Sequence, residues 1–110
     1  MESVLQEKSK KFALDIIDLS KNVKNKILCD QVFRSGTSIG ANIMEANYAV
    51  SKSDFINKLH IALKECNETL YWLYLIKEGN FIDIDKQIWT DCNELKRMLV
   101  KALTTSKNSV

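Results

Sequence analysis

The 110-residue sequence has no proline and only three glycines. Proteins built from many short strands need both residues for tight turns, because proline fixes φ and glycine reaches positive φ without strain. Their scarcity favours a few long helices. A hydrophobic content of 45% with 27% charged residues is ordinary for a globular protein, so we expect one domain over residues 1–110.

The sequence also lacks a long apolar run. A membrane-spanning helix needs about 20 consecutive apolar residues, and no stretch approaches that length. The first residues, "MESVLQEKSKKF", have no signal-peptide pattern. We therefore predict a cytoplasmic protein that makes no membrane contact.

Metal-binding and disulfide patterns are missing as well. Histidine occurs once, as His60, and the cysteines Cys29, Cys66 and Cys92 are far apart, with no CxxC pair. Zinc sites need closely spaced cysteines or histidines, and disulfide frameworks need an even number of cysteines. We expect neither kind of site, and no cofactor.

Charge of one sign does not dominate, since 16 Lys and Arg against 14 Asp and Glu give a net charge of +2. Nucleic-acid-binding modules usually carry a much stronger basic excess. Basic residues do cluster in three places, which are Lys8, Lys10 and Lys11, then Lys21, Lys24 and Lys26, and finally Lys96, Arg97 and Lys101. Each cluster fits a solvated helix face better than a contact surface, and nucleic-acid contact remains the alternative interpretation.

Apolar residues recur every three or four positions in four segments, which is the period of an amphipathic helix. The predicted helices cover residues 3–23, 27–49, 53–78 and 84–104. Short polar links join them, so an all-α, antiparallel up-down-up-down four-helix bundle buries their apolar faces most simply. No internal repeat or linker marks a second domain.

Several residues predict how the helices begin and end. Ser51 and Ser53 are equally plausible caps for the start of the third helix. Gly79 is expected to end that helix in a left-handed conformation. Beyond Thr104, the polar tail is expected to fray.

The stretch "RSGTSIGANIMEAN", residues 34–47, contains Gly36 and Gly40. A phosphate-binding loop of the G-x-x-x-x-G-K-[ST] type needs different spacing and a lysine, and a dinucleotide-binding G-x-G-x-x-G is missing too. Two small residues one helical turn apart instead predict close approach of a neighbouring helix. Each glycine costs about 1 kcal/mol relative to alanine inside a helix, so close packing or binding must offset that loss.

Catalytic constellations are incomplete. Ser35 or Ser38 could act as a nucleophile only beside a base, and nothing in the sequence places His60 next to either. A carboxylate-bridged two-metal site needs Glu-x-x-His motifs, and none occurs here. We therefore expect no enzyme activity and no small-molecule substrate.

Polar residues on the predicted apolar faces need partners. Asn42 lies on the stripe between Ile39 and Ile43, where an unpaired amide would be costly. Glu45 and Glu68 are candidates for a polar network at the edge of the bundle, with hydrogen bonds to the backbone or to basic residues such as Arg34.

Tyr71, Trp72 and Tyr74 place more aromatic surface around the third helix than one face of a bundle can bury. Tyrosine and tryptophan are enriched at protein interfaces, which is the favoured interpretation. Stacking on nucleic-acid bases is the other one.

The segment "FRSGTSIGANIMEANYAVSKSDFINKLHIALKECNETLYWL" resembles the four-helix bundle family encoded in intervening sequences of bacterial 23S rRNA genes. The family pattern is a basic residue, S-x-T-S-I-x-x-N-I-x-E, then S-x-x-x-F and A-L followed by E. It corresponds here to Arg34, Ser35, Thr37, Ser38, Ile39, Asn42, Ile43, Glu45, Ser51, Phe55, Ala62, Leu63 and Glu68. Ala46 stands where the family usually has glycine, and Lys64 with Glu65 replaces a pair of small residues.

The resemblance implies a protomer that assembles into a ring-like pentamer, with no enzyme activity. A related branch contains the accessory protein of diversity-generating retroelements, which engages a reverse transcriptase and nucleic acid through basic surfaces. We therefore expect a self-associating cytoplasmic scaffold that binds RNA or protein. The alternative is a nucleic-acid-binding accessory protein of a retroelement reverse transcriptase.

Overall fold

The computed structural model describes residues 2–108 and contains four α-helices and no strand in that range. They are α1 (Val4–Ser20), α2 (Lys26–Ala46), α3 (Lys52–Glu78) and α4 (Lys86–Asn108). Each helix packs against the next along the chain, and α4 closes the arrangement against α1. The prediction of an all-α four-helix bundle is confirmed.

Neighbouring helices run in opposite directions. The 21 residues of α2 are about 31 Å long, whereas a five-residue link such as 47–51 reaches about 17 Å at most, so the chain must turn back after each helix. The contacts show the same reversal, because Gly36 lies against Ile16 while Gly40, one turn later, lies against Ser9.

One apolar core runs through the bundle. Its fully buried members come from all four helices and include Phe12, Ile16, Val32, Ile39, Ala62, Cys66, Leu73, Ile76, Cys92, Leu95 and Leu99. Phe55 is partly buried against this core. The predicted helical stripes therefore face inward, as their spacing requires.

Two helices end earlier than predicted. α1 stops at Ser20 rather than at residue 23, and α2 stops at Ala46 rather than at residue 49. Beyond each end the chain continues in tight turns, where backbone N–H groups bond carbonyls three residues back, as from Val23 to Ser20 and from Ala49 to Ala46. These turns keep Val23 buried, so the apolar spacing continues past the α-helix.

The final helix extends further than predicted. α4 begins at Lys86 and runs to Asn108, so the expected fraying after Thr104 was wrong for residues 105–108. The last two positions of that prediction, 109 and 110, lie outside the described residues. Buried Leu103 holds this end against the core. No glycine or proline follows to interrupt the helix.

The end of α3 also differs from the prediction. Gly79 is right-handed at φ −79°, and the left-handed residue is Asn80 at φ 59°. Phe81 donates its N–H to the carbonyl of Ile76, and Asn80 donates to that of Lys77, which together form a Schellman cap. Asparagine tolerates the left-handed region better than most residues, which explains why it occupies this position.

Ser51 is the residue that caps α3, since its hydroxyl accepts a hydrogen bond from the Asp54 N–H at 3.0 Å. Ser53 lies inside the first turn and is exposed. We expect Ser51→Ala to lower the free energy of unfolding by about 1 kcal/mol, because it leaves a helix-start N–H without its partner. Urea unfolding measures this change, and Ser53→Ala is the matched control, with an expected change below about 0.5 kcal/mol. Equal losses from both substitutions would contradict the assignment.

Within residues 2–108, none of the helices combines the length and the apolar character that crossing a bilayer demands.

Candidate functional site

A charged cluster joins α2 to α3 within the segment that carries the family resemblance. The guanidinium of Arg34 lies 3.0 Å from Glu65 Oε2 through one nitrogen and 2.6 Å from Glu68 Oε2 through the other. Glu65 and Glu68 are three residues apart and therefore share one face of α3. The planar fork of arginine suits two carboxylates at once, which a lysine would not match.

The two carboxylates differ in environment. Burial raises the pKa of Glu65, although Arg34 opposes that rise. The hydrogen bond from Arg34 lowers the pKa of Glu68, which is more exposed. The cluster thus holds a buried carboxylate next to a single, partly exposed cation, so its stability depends on Arg34.

Hydroxyl groups continue this interface towards the core. Ser35 and Thr69 share a hydrogen bond of 2.9 Å between buried hydroxyl oxygens, and Thr69 also donates to the Glu65 carbonyl at 2.7 Å. Ser38 donates to the Arg34 carbonyl on its own helix at 2.6 Å. His60 lies on the exposed side of α3, and no hydrogen bond within residues 2–108 joins it to either serine.

The other predicted polar residues take simpler partners. Asn42 donates its side-chain N–H to the Ser38 carbonyl at 2.8 Å, so its partner lies on its own helix. Glu45 is exposed, and its carboxylate lies 3.5 Å from Lys58 Nζ. It therefore lies apart from the Arg34 cluster and does not join Glu68 in one network. In the described part of the chain, no three His, Cys, Asp or Glu side chains are arranged to hold a metal ion.

The two glycines of α2 have different roles. A Cβ atom on Gly36 would lie 2.7 Å from Cγ2 of the fully buried Ile16, which is inside van der Waals contact. A Cβ on Gly40 would lie 3.3 Å from Ser9 Oγ and 3.5 Å from the Ser9 carbonyl oxygen. Gly36 therefore makes room for a core side chain, while Gly40 allows only a close helix approach.

Beside Gly40, the outer surface between α1 and α2 forms a groove of about 600 Å³. We call it the α1/α2 groove, and it is lined by Ala13, Thr37, Gly40, Ala41, Met44 and Tyr48, and also by Glu2, Gln6, Ser9 and Lys10. Met44 is 53% exposed and Tyr48 is 82% exposed. The lining therefore combines small residues with the larger, exposed side chains of Met44 and Tyr48.

The three basic clusters are not equivalent. In the first, acids neutralise every lysine: Lys8 pairs with Glu94, Lys10 with Glu2, and Lys11 with Asp15 and Asp91. In the second, Lys26 pairs with Asp30, while Lys21 and Lys24 are exposed without an ion pair among the described residues. In the third, Lys96, Arg97 and Lys101 have no ion pair within residues 2–108.

Two of the three neighbouring aromatic residues of α3 are exposed, and the third is partly buried. Tyr71 and Tyr74 are 55% and 54% exposed. Trp72 is partly buried, with its ring edge-on to Tyr71 at a centroid distance of 5.1 Å. Its buried indole N–H makes no hydrogen bond of ordinary geometry within residues 2–108. It is nevertheless near enough to the Glu68 carboxylate to help Arg34 lower the pKa of that group.

The burial of Glu65 and the α1/α2 groove were not predicted from the sequence. In the sequence, Glu65 stands out as part of the Lys64 and Glu65 pair that replaces two small residues of the family pattern, and that departure does not show that its side chain is buried. A weak signal for the groove was present, since Ala13, Gly40 and Ala41 are small residues at positions where a bundle surface usually carries longer polar ones.

Comparison with known proteins agrees with this fold. The sequence model described as 23S rRNA-intervening sequence protein matches residues 1–101. A crystal structure of a protein with unknown function from the S23 ribosomal protein family of Bacteroides thetaiotaomicron is 44% identical. The match covers 91% of this chain and 98% of that chain, with a TM-score of 0.86. No curated protein matches the chain.

Proposed function

Since this chain belongs to the 23S rRNA-intervening sequence protein family, we propose that it is a non-enzymatic cytoplasmic scaffold that assembles with further copies of itself. The family resemblance supports a pentameric ring. The observation that carries the proposal is the α1/α2 groove, because it places the exposed side chains of Met44 and Tyr48 beside small residues on one surface.

A second copy fits this groove better than an unrelated partner. The charges at its side, Glu2 and Lys10, pair with each other within the protomer, so no unmatched charge calls for a strongly acidic or basic ligand. Ring assembly also needs one surface per protomer that receives a different surface of the next. The groove can serve as the receiving surface.

Substituting Met44 tests this role. We expect Met44→Glu to weaken self-association by at least about tenfold, because the interface would bury a carboxylate without a partner. Sedimentation velocity over a concentration series measures the change. Val100→Glu is the matched control, since Val100 is 46% exposed on α4 and lies away from the groove. Assembly unaffected by Met44→Glu but lost with Val100→Glu would contradict the proposal.

A second candidate function is that of a nucleic-acid-binding accessory protein, with RNA or a retroelement reverse transcriptase as partner. The observation that favours it is the unpaired positive charge of Lys96, Arg97 and Lys101. A salt titration of RNA binding tests it, because phosphate contacts lose affinity steeply as salt rises. A flat response would exclude phosphate contacts.

A further inference from the structure

The second half of α4 carries positive charge without acids. Between residues 95 and 108 its charged residues are Lys96, Arg97, Lys101 and Lys107. The two acids that precede them on α4, Asp91 and Glu94, form ion pairs with lysines of α1. Packing against α1 therefore uses the acids of α4 and leaves the later bases without a counter-charge from their own helix.

Three of these bases line one shallow depression of about 430 Å³ on the outside of α4. Its lining residues are Asn93, Lys96, Arg97, Val100 and Lys101. Successive members of the set along each row are three or four positions apart, so together they form one continuous face about 12 Å long. We call the three cations the α4 basic face. None of them has an ion pair within residues 2–108, so the face attracts an anionic ligand.

The lack of an acid distinguishes this depression from four others in the described chain that also contain lysine. Lys10 lies with Glu2 in the α1/α2 groove, and Lys58 lies with Glu45 in a depression between α2 and α3. The remaining two combine lysines of α1 with aspartate or glutamate. Elsewhere the fold thus supplies a counter-charge in place, and at the α4 basic face it does not.

The side chains of this depression suit phosphates better than bases. Lysine and arginine contact phosphate oxygens, which fixes a protein on nucleic acid without reading its sequence. Asn93 could read an adenine only by offering both its amide oxygen and nitrogen to the base edge. Its side-chain nitrogen instead donates to the Trp89 carbonyl at 3.0 Å, which holds the amide against its own helix. The chemistry therefore favours contact with the phosphate backbone alone.

A duplex fits the face better than a single strand or a protein. Proteins that bind single strands stack the bases on aromatic rings, and no ring lines this depression. Protein interfaces are likewise enriched in aromatic residues and depleted in lysine. A duplex carries one negative charge per about 1.7 Å of its axis and presents its phosphates on the outside, where a shallow face can reach them.

We propose that the α4 basic face binds the phosphate backbone of a nucleic-acid duplex without reading its bases, with Lys96, Arg97 and Lys101 each on a phosphate. This inference rests on the second candidate function and assigns it a surface and a form of nucleic acid. It does not depend on self-association, because all three cations belong to one protomer.

Fluorescence anisotropy with a labelled RNA duplex of about 20 base pairs tests the surface. Arg97→Gln with Lys101→Gln is expected to weaken binding by at least about tenfold at low salt. The slope of log affinity against log salt should fall by about two-thirds, because two of the three phosphate contacts are lost.

The matched control is Lys21→Gln with Lys24→Gln, which removes the same charge at exposed residues beyond α1. It should weaken binding by less than about threefold and leave the salt slope unchanged. Equal effects of the two pairs on affinity and slope would overturn the assigned surface while leaving RNA binding intact. Circular dichroism verifies that each variant keeps the helical content of the unmodified chain.

Competing ligands test the form of nucleic acid. A duplex of unrelated sequence should bind within about threefold of the first, and one separated strand should bind at least about threefold more weakly. Preference for the single strand, strong preference for one duplex sequence, or equal competition by polyglutamate would overturn the duplex assignment. If the unmodified chain binds neither duplex nor single strand at low salt, the second candidate function itself is refuted.

Discussion

Gly36→Ala is expected to lower the free energy of unfolding by about 2 kcal/mol, although alanine favours helices over glycine. The added Cβ would lie 2.7 Å from Cγ2 and 2.9 Å from Cγ1 of Ile16. Ile16 is fully buried and β-branched, so it has few alternative rotamers to move into. Overpacking of this kind outweighs the gain of about 1 kcal/mol in helix propensity.

Gly40→Ala is the matched control, on the same helix and one turn later. Its Cβ would lie 3.3 Å from the Ser9 hydroxyl, which requires only a small displacement. The expected change is within about 1 kcal/mol of the unmodified chain, since the gain in helix propensity offsets that displacement. Urea unfolding of both variants measures the difference, and equal stability of the two would contradict the assigned role of Gly36.

A double-mutant cycle with Ile16 tests why Gly36→Ala lowers the free energy of unfolding. If the clash with Ile16 is what destabilises Gly36→Ala, adding Ile16→Ala should cost less in that variant than in the unmodified chain. If the two losses in the free energy of unfolding are additive, the destabilisation by Gly36→Ala arises from a contact other than the one with Ile16.

Arg34→Met has the second large expected effect, a loss of about 2 to 3 kcal/mol at neutral pH. Methionine keeps an apolar stem but removes the cation from Glu65, which is buried, and from Glu68. The expected loss is below that of a fully buried pair because Arg34 is 47% exposed and water screens it. Arg34→Lys keeps the positive charge but loses the planar guanidinium that reaches both carboxylates. Its loss in the free energy of unfolding should be about half that of Arg34→Met.

The loss should depend on pH. Burial raises the pKa of the Glu65 carboxyl, so the folded state favours its protonated form. Above that pKa the carboxyl is ionised while it is buried, and this lowers the free energy of unfolding. Removing Arg34 raises this pKa further and removes the cause that lowers the pKa of Glu68. The deficit of Arg34→Met should therefore shrink as pH falls from neutral towards the ordinary carboxyl value of 4.5.

Chemical unfolding from pH 7 to about pH 5 measures this trend, with the free energies of the two chains compared at each pH. Adding Glu65→Gln to Arg34→Met should restore part of the loss and remove most of its pH dependence. A deficit that stays constant over this range would contradict the role assigned to Glu65.

The helices could be predicted because each one places an apolar core residue on the same face at every turn, so many positions carry the same signal. Residues such as Phe12 and Ile16 on α1, or Leu95 and Leu99 on α4, repeat the inward direction at each turn. Helix ends were less predictable, because the tight turns after Ser20 and Ala46 keep nearly the same spacing.

Contacts between helices were harder to predict. Burial of Glu65 depends on its place beside Arg34, which lies 31 positions away in the sequence. Pairing of Lys8 with Glu94 depends on α1 packing against α4, the first helix against the last. The local sequence pattern shows neither of these contacts between helices. The sequence therefore could not tell which basic clusters are neutralised by acids and which are not.

Native mass spectrometry of the unmodified chain tests the central claim, self-association, most directly. At about 20 µM we expect a closed assembly, in which five chains of 12.6 kDa give a mass near 63 kDa. Dilution should reduce the assembly without producing longer open chains, because a ring closes. A strict monomer of 12.6 kDa at that concentration would contradict the account.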